Sequence, residues 1–312
     1  MRKIYKDLLK TFQDKKLQIE SNATYNMNQA LNIEDIKNSY NKCNSLIIEI
    51  AKTEYNNKDS KKLKEEFKKE KENLHKILAK NNINPKSLKP QYSCKICKDE
   101  GMINGQFCDC FKKAFTLNLL KESGLSDKNL PDFNNITFDI ITNEKQKKQY
   151  VAMCDKLKNF VSKLKDNEKK NITMFGGVGV GKTYLLQAVV NEAIKNNYYT
   201  VYTTAFNLNN DMLKYHCAGL DEKADILQKY IDADLLCIDD LGTENILRNV
   251  TVEYLYLIIN ERLQLNRATI ITTNLTLQQI METYDERIFS RIANKTSCYL
   301  FNLQGDDLRL KK

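Results

Sequence analysis

The sequence predicts an α/β fold, a parallel, doubly wound, five-stranded sheet preceded by an α-helical region and a small cysteine-bearing module. Three observations predict it. From Asn171 onward, five short apolar runs alternate with helical patterns: Ile172 to Phe175, Tyr198 to Tyr202, Leu235 to Ile238, Thr269 to Thr272 and Cys298 to Leu303. Strands separated by helices pair in parallel, because each crossover returns the chain to the end of the sheet at which the previous strand began. A glycine-rich turn, Gly176 to Thr183, joins the first run to a helical pattern beginning at Tyr184. Residues 1 to about 82 contain neither proline nor glycine, the two residues that most readily interrupt helices.

In the N-terminal region, Ile33, Ile36, Tyr40, Cys43, Ile47 and Ile50 recur at three- and four-residue steps, which puts them on one helical stripe. Leu63, Phe67, Leu74 and Leu78 form a second stripe. Two such helices, joined near Asn56 to Ser60, are expected to pack as a coiled-coil-like hairpin. Its outer surface is then available to a partner protein. Asn81, Asn82, Pro85 and Pro90 end the helical pattern. The expected organisation is a helical partner-binding region over 1–90, a metal-binding module over 91–115, a linker over 116–140 carrying Pro131, and the sheet domain over 141–312.

Within the second segment, Cys94-Lys95-Ile96-Cys97 is followed by Cys108-Asp109-Cys110. Four thiolates on two short knuckles can close a tetrahedron around Zn²⁺, with no position left for water, so the site is expected to be structural. His75 is an alternative ligand to one of the thiolates. The remaining cysteines, Cys43, Cys154, Cys217, Cys237 and Cys298, fall in apolar patterns and are expected in the core. No stretch approaches the roughly 20 apolar residues a membrane helix needs, and Met1 to Lys10 carry no apolar run of a secretory signal. The expectation is a cytoplasmic protein whose nine cysteines are thiols or metal ligands. Its formal charge of +9 is concentrated N-terminally, with 22 basic and 15 acidic residues over 1–110 against 27 and 25 in the rest. Lysines alternate with acids there as on solvated helix faces, so net charge by itself does not identify a nucleic-acid partner.

Gly176-Gly177-Val178-Gly179-Val180-Gly181-Lys182-Thr183 matches GxxxxGK[ST] in the strand-to-helix context that the motif requires. Glycines let backbone N–H groups curl around phosphates, Lys182 adds positive charge, and the helix opening at Tyr184 directs its positive end at the anion. Thr183 offers a hydroxyl to Mg²⁺. Leu235 to Asp240 reads as a buried strand ending in two carboxylates. Asp239 is expected on the metal side and Asp240 as general base toward a water. Asn274, ending the next strand in Thr272-Thr273-Asn274, is placed to orient that water.

This loop, the run Cys237-Ile238-Asp239-Asp240-Leu241-Gly242, Ile258-Ile259-Asn260-Glu261-Arg262, and Thr272-Thr273-Asn274-Leu275 together resemble the DnaC/DnaI bacterial helicase loaders and the related transposition ATPase IstB, over roughly residues 130 to 312. The resemblance implies an AAA+ P-loop ATPase using ATP and Mg²⁺, with Asn274 in the sensor-1 position. It identifies Arg291, in Asp285 to Arg291, as an arginine finger that enters a neighbouring subunit's site, and Arg309 as a sensor-2 residue. Only three residues follow Arg309, which implies no C-terminal lid and weak activity without self-association. A helical and zinc-bearing N-terminal region resembles the part of the DnaI-like loaders that grips the replicative helicase, although its knuckles stand unusually close together. The implied function is ATP-dependent loading of that hexameric helicase onto single-stranded DNA at replication initiation. An IstB-like transposition helper and a non-hydrolysing nucleotide-switched adaptor are the alternatives. Lys214 and Lys229 are candidate DNA contacts.

Overall fold

The structure is a computed structural model that describes residues 2–122, 125, 130–139, 141, 143–296 and 298–310. The chain divides into two units, residues 7–106 and residues 107–312 with 1–6.

The first unit is built on α1 (Arg2–Leu31), α2 (Glu34–Tyr55) and α3 (Lys61–Lys80). Helices α2 and α3 pack along their length as the hairpin the two stripes predict. The buried stripe on α2 is rotated from the expected one. Ile36, Ser39, Cys43 and Leu46 are buried, whereas Ile47 and Ile48 face solvent. A polar pair accounts for part of this: the Ser39 hydroxyl donates to Glu70 Oε1 at 2.5 Å, and Lys42 pairs with Glu70 at 3.3 Å. Satisfying Glu70 at that seam lets Ser39 turn inward without an unpaired hydroxyl. Ala30, Ile36 and Leu78 form the small core, with Ile33, Leu74 and Ile77 against it.

Next comes a two-stranded hairpin, β1 (Met102–Ile103) with β2 (Gln106–Phe107). Its turn residues, Asn104 and Gly105, both have positive φ, 49° and 77°. That is the two-residue geometry for which Asn-Gly is the strongest sequence signal.

The second unit holds the five-stranded sheet: β3 (Asn171–Gly176), β4 (Thr200–Thr204), β5 (Leu235–Leu241), β6 (Ala268–Thr273) and β7 (Cys298–Leu303). Every pairing is parallel and the spatial order is β4-β5-β6-β3-β7. All five predicted strands are present. Central strands β5 and β6 are buried along nearly their whole length, so both sheet faces are covered, as parallel sheets require. The covering helices are α5 (Glu144–Ser162), α6 (Lys182–Lys195), α7 (Ala205–Cys217), α8 (Leu220–Asp232), α9 (Glu253–Gln264), α10 (Leu277–Tyr284) and α11 (Glu286–Ile292). Leu157, Val161, Leu186, Val189, Leu235 and Ile270 lie at the centre of the core, each about 0% exposed.

Residues 116–140, expected as a linker, are partly packed into this unit. Helix α4 (Asp109–Glu122) lies against β4, and Phe133, Ile136 and Phe138 pack on the main core. Pro131 and the surrounding polar residues look like a connector because no period links their apolar side chains. The expected connector over 124–135 falls partly outside the described residues, at 124 and 126–129. Of the cysteines expected in the core, Cys43, Cys154, Cys237 and Cys298 are buried, but Cys217 is exposed. It ends α7, whose buried residues, Ala205, Leu208 and Met212, all lie nearer the start of the helix.

Two lysines named as DNA-contact candidates are engaged otherwise. Asp211 accepts from Lys229 at 2.6 Å, Lys214 at 3.2 Å and the Tyr230 hydroxyl at 2.7 Å. Burial alone would raise the Asp211 pKa, but these donors outweigh it and hold the carboxyl below its usual value. A depressed folded pKa means stabilisation that is present above the unfolded value of about 3.9 and is lost as pH falls through the folded one. Asp211→Asn should therefore cost about 2 kcal/mol at pH 7, with the difference from the parent shrinking on acidification, as measured by urea unfolding across pH.

Candidate nucleotide and metal sites

The loop after β3 turns on glycines where the backbone demands them. Gly179 and Gly181 have φ of 74° and 88°, and a Cβ on Gly179 would lie 1.8 Å from Asp307 Oδ1. A cavity of 670 Å³ opens over the loop, lined by Val178, Gly179, Gly181, Lys182, Thr183 and Tyr184, and by Asp240, Asn274 and Arg309. Ile136, Thr137, Phe138, Ile141, Tyr150 and Leu308 line it as well. That volume suits a nucleotide, with a polar wall and an apolar one. The glycine-rich turn was legible from its motif. The apolar wall was not, since its residues come from the expected linker, from Ile141 and Tyr150 around the start of α5, and from Leu308 at the far end of the chain.

Lys182 is 5% exposed, and its ammonium donates to Gly176 O at 3.0 Å, Gly177 O at 2.6 Å and Asn274 Oδ1 at 2.7 Å. Burial lowers its pKa, opposed by Asp240 and Asp239. The bond to Asn274 brings together two residues 92 positions apart.

Asp239 is 2% exposed and accepts three hydroxyls: Thr183 Oγ1 at 3.1 Å, Tyr202 at 2.8 Å and Thr272. The pairing of Thr183 with Asp239 is the arrangement a Mg²⁺ ion and its water shell require from a P-loop protein. Tyr202 and Thr272 were not singled out as site residues. Both sit in apolar strands, and a threonine or tyrosine there reads as ordinary β-former.

Asp240 leaves the strand differently. The register of β5 against β6 shifts between Ile238 and Leu241, and Asp240 adopts a left-handed φ of 55°. A bulge of this kind re-aims one side chain, here into the cavity. The Asp240 N–H donates to Thr272 Oγ1 at 2.9 Å, which secures the bulge. Burial, then the neighbouring Asp239, pushes the Asp240 carboxyl up, and Lys182 and Arg309 oppose the shift. Two adjacent carboxylates thus differ sharply in surroundings.

Arg309 lines the cavity and forms an ion pair with Asp307 at 2.9 Å. Arg291 lies outside it. Its guanidinium donates to Asn260 Oδ1 at 2.9 Å and stacks on the Tyr256 ring at 4.6 Å, beside Arg287 at 4.8 Å. Arg287 and Arg291 do share one face of α11, as their spacing predicts, and both lie over Tyr256 rather than over this chain's own loop.

The Sγ atoms of Cys94, Cys97, Cys108 and Cys110 all lie within 4.8 Å of one another. A zinc tetrahedron with bonds of about 2.3 Å has edges of about 3.8 Å, so this set fits Zn²⁺ after a small contraction. Asp99 supports the first knuckle by accepting the Ser93 and Cys94 N–H groups at 2.8 and 2.6 Å, and Gly101 N–H donates to Cys97 Sγ at 3.3 Å. His75 is exposed on α3 and does not belong to the cluster.

Comparison with known proteins adds to this picture. The profile of a family described as IstB-like ATP binding protein matches residues 129–312. The uncharacterized protein YqaM of Bacillus subtilis (strain 168) is 28% identical over 213 residues, 65% of this chain and 64% of that protein. A protein of Geobacillus stearothermophilus, assigned to insertion sequence IS5376 as ATP-binding, is 28% identical over 149 residues, 47% of this chain and 58% of its own length. The chain thus spans less than two thirds of either relative. Among solved structures, the DnaC helicase loader aligns with a TM-score of 0.46 at 21% identity, over 55% of this chain and 96% of the other.

Proposed function

The chain belongs to the family of IstB-like ATP binding proteins, and we propose that it is a magnesium-dependent ATPase that places a hexameric replicative helicase on single-stranded DNA. One observation carries the ATPase reading: Lys182, Thr183, Asp239, Asp240 and Asn274 converge on one glycine-rich loop beside a cavity of nucleotide size. The loop amides and Lys182 hold the phosphates. Thr183 and Asp239 would hold the water shell of a Mg²⁺ ion, and Asp240 would draw the proton from the attacking water while Asn274 orients it. Mg²⁺, when bound, would neutralise charge on the nucleotide's phosphates. Arg309 completes the phosphate side from within the chain. Arg291, stacked on Tyr256, is the finger offered to a neighbouring copy, so hydrolysis increases on self-association.

The loader half of the proposal is supported by what precedes the matched segment. Residues 1–90 form a helical partner-binding region and 91–115 a zinc module, an arrangement suited to gripping a protein ring. ATP binding favours the assembled, DNA-gripping state in the cytoplasm, and hydrolysis releases the helicase. A second reading, a helper ATPase in transposition, is favoured by the matched family and by the insertion-sequence relative. Copurification with the replicative helicase, with and without ATP, followed by a loading assay on single-stranded DNA, separates the two. Absence of helicase binding in both states would move the assignment to transposition.

Lys182→Ala tests the shared premise. Removal of one charge-assisted contact of about 2–3 kcal/mol should weaken MgATP binding roughly 30- to 150-fold in calorimetric titration. Undiminished affinity would remove the basis for both readings.

A further inference from the structure

Two successive peptide units of the phosphate-binding loop have their carbonyls taken by donors from distant parts of the chain. The Val180 carbonyl accepts the Tyr150 hydroxyl of α5. The Gly179 carbonyl accepts the backbone N–H of Leu308 at 3.0 Å. A trans peptide is planar, so its C=O and the following N–H point in opposite directions, and no cis bond occurs among the described residues. Pulling the Val180 carbonyl toward α5 therefore turns the Gly181 N–H the other way. The Leu308 contact does the same for the Val180 N–H.

Tyr150 is built to hold its position. It is 3% exposed, and its ring lies 3.8 Å from the point a Cβ on Gly181 would occupy. Burial raises its phenol pKa, so the hydroxyl stays a donor. Helix α5 is itself fastened at several points. Asn143 caps it by accepting the Lys145 and Gln146 N–H groups at 3.0 and 3.1 Å, and Gln149 donates to Asn302 O of β7 at 2.8 Å. The anchor thus stands on a rigid element rather than on the loop it restrains.

We propose that Tyr150 is a positioning residue for phosphate binding, its hydroxyl holding the Val180–Gly181 peptide so that the Gly181 amide faces the nucleotide phosphates. This rests on the ATP-binding reading of the loop and adds to it a reason for the loop's orientation. Glycines make the loop's conformation accessible, and the phenol selects it. A loop freed of this bond samples peptide orientations that present a carbonyl to the anion, and binding then has to select the competent fraction.

Tyr150→Phe removes one oxygen and keeps the ring. Titrated into the full chain with Mg²⁺, ADP and ATP should bind about tenfold more weakly, whereas adenosine, which has no phosphate, should change by less than about twofold. Melting without nucleotide should move by no more than about 5 °C. Unchanged ADP affinity would overturn the proposal. An equal loss for adenosine and ADP would also overturn it, since the ring would then be serving the base. If the parent protein binds neither ADP nor ATP, the nucleotide reading itself has failed, a result distinct from a parent that binds and a variant that binds equally well. Should the variant unfold, hydrogen exchange of the Gly181 amide in the parent decides: protection by ADP but not by adenosine supports the proposal, and no protection by ADP overturns it.

Discussion

Asp240→Asn should lower ATP turnover by about 10²- to 10⁴-fold while leaving MgATP affinity unchanged or severalfold tighter. The substitution keeps the shape of the side chain, and asparagine tolerates the left-handed backbone that Asp240 adopts at φ 55°. The bulge and its N–H bond to Thr272 should survive. What disappears is a carboxylate facing the cavity, and with it one negative charge beside the loop proposed to hold the phosphates. Loss of the acceptor slows the chemical step, and loss of the charge relieves repulsion in the bound state. Single-turnover hydrolysis and calorimetric titration separate these effects. Retained turnover would remove Asp240 from its role as base. Retained helicase or DNA function with turnover abolished would favour the non-hydrolysing adaptor.

Purified chain grown with ample zinc should carry about one zinc atom, and Cys97→Ser should carry none. The four sulfurs are preassembled within 4.8 Å, on the first knuckle, a hairpin of two-residue strands and the first turn of α4. Such a module has too little core to fold on apolar burial alone. Binding of zinc to a four-cysteine set contributes about 10–16 kcal/mol, nearly all of it as folding free energy. Chelation should therefore open residues 94–110 to proteolysis, detectable by mass spectrometry of the fragments. A zinc-free protein with the same digestion pattern would overturn the structural-metal assignment.

How much of this was legible before folding depends on how local the signal is. The loop motif from Gly176 to Thr183 and the strand ending in Asp239 and Asp240 are contiguous, so their place in the fold could be read directly. The Asn-Gly turn at 104–105 was equally local and was simply passed over. The stripe on α2 was legible to within one residue, and the Ser39–Glu70 pair across the hairpin accounts for part of the shift that buries Leu46 in place of Ile47. Residues 136–138 gave no signal, because they line the cavity from a segment without periodicity.

By itself the sequence determined the parallel α/β class, the five strands, the phosphate loop with its lysine, the carboxylate pair and the thiol quartet, since each rests on residue types at short, fixed spacings. Only the tertiary structure decided which carboxylate is buried among hydroxyls and which is turned into the cavity, that Tyr150 reaches the Val180 carbonyl, and that Arg291 stacks on Tyr256 away from its own loop. Those outcomes depend on strand register, a bulge and the meeting of side chains 30 or more positions apart, and hydrogen bonds and burial act on distance in space rather than along the chain.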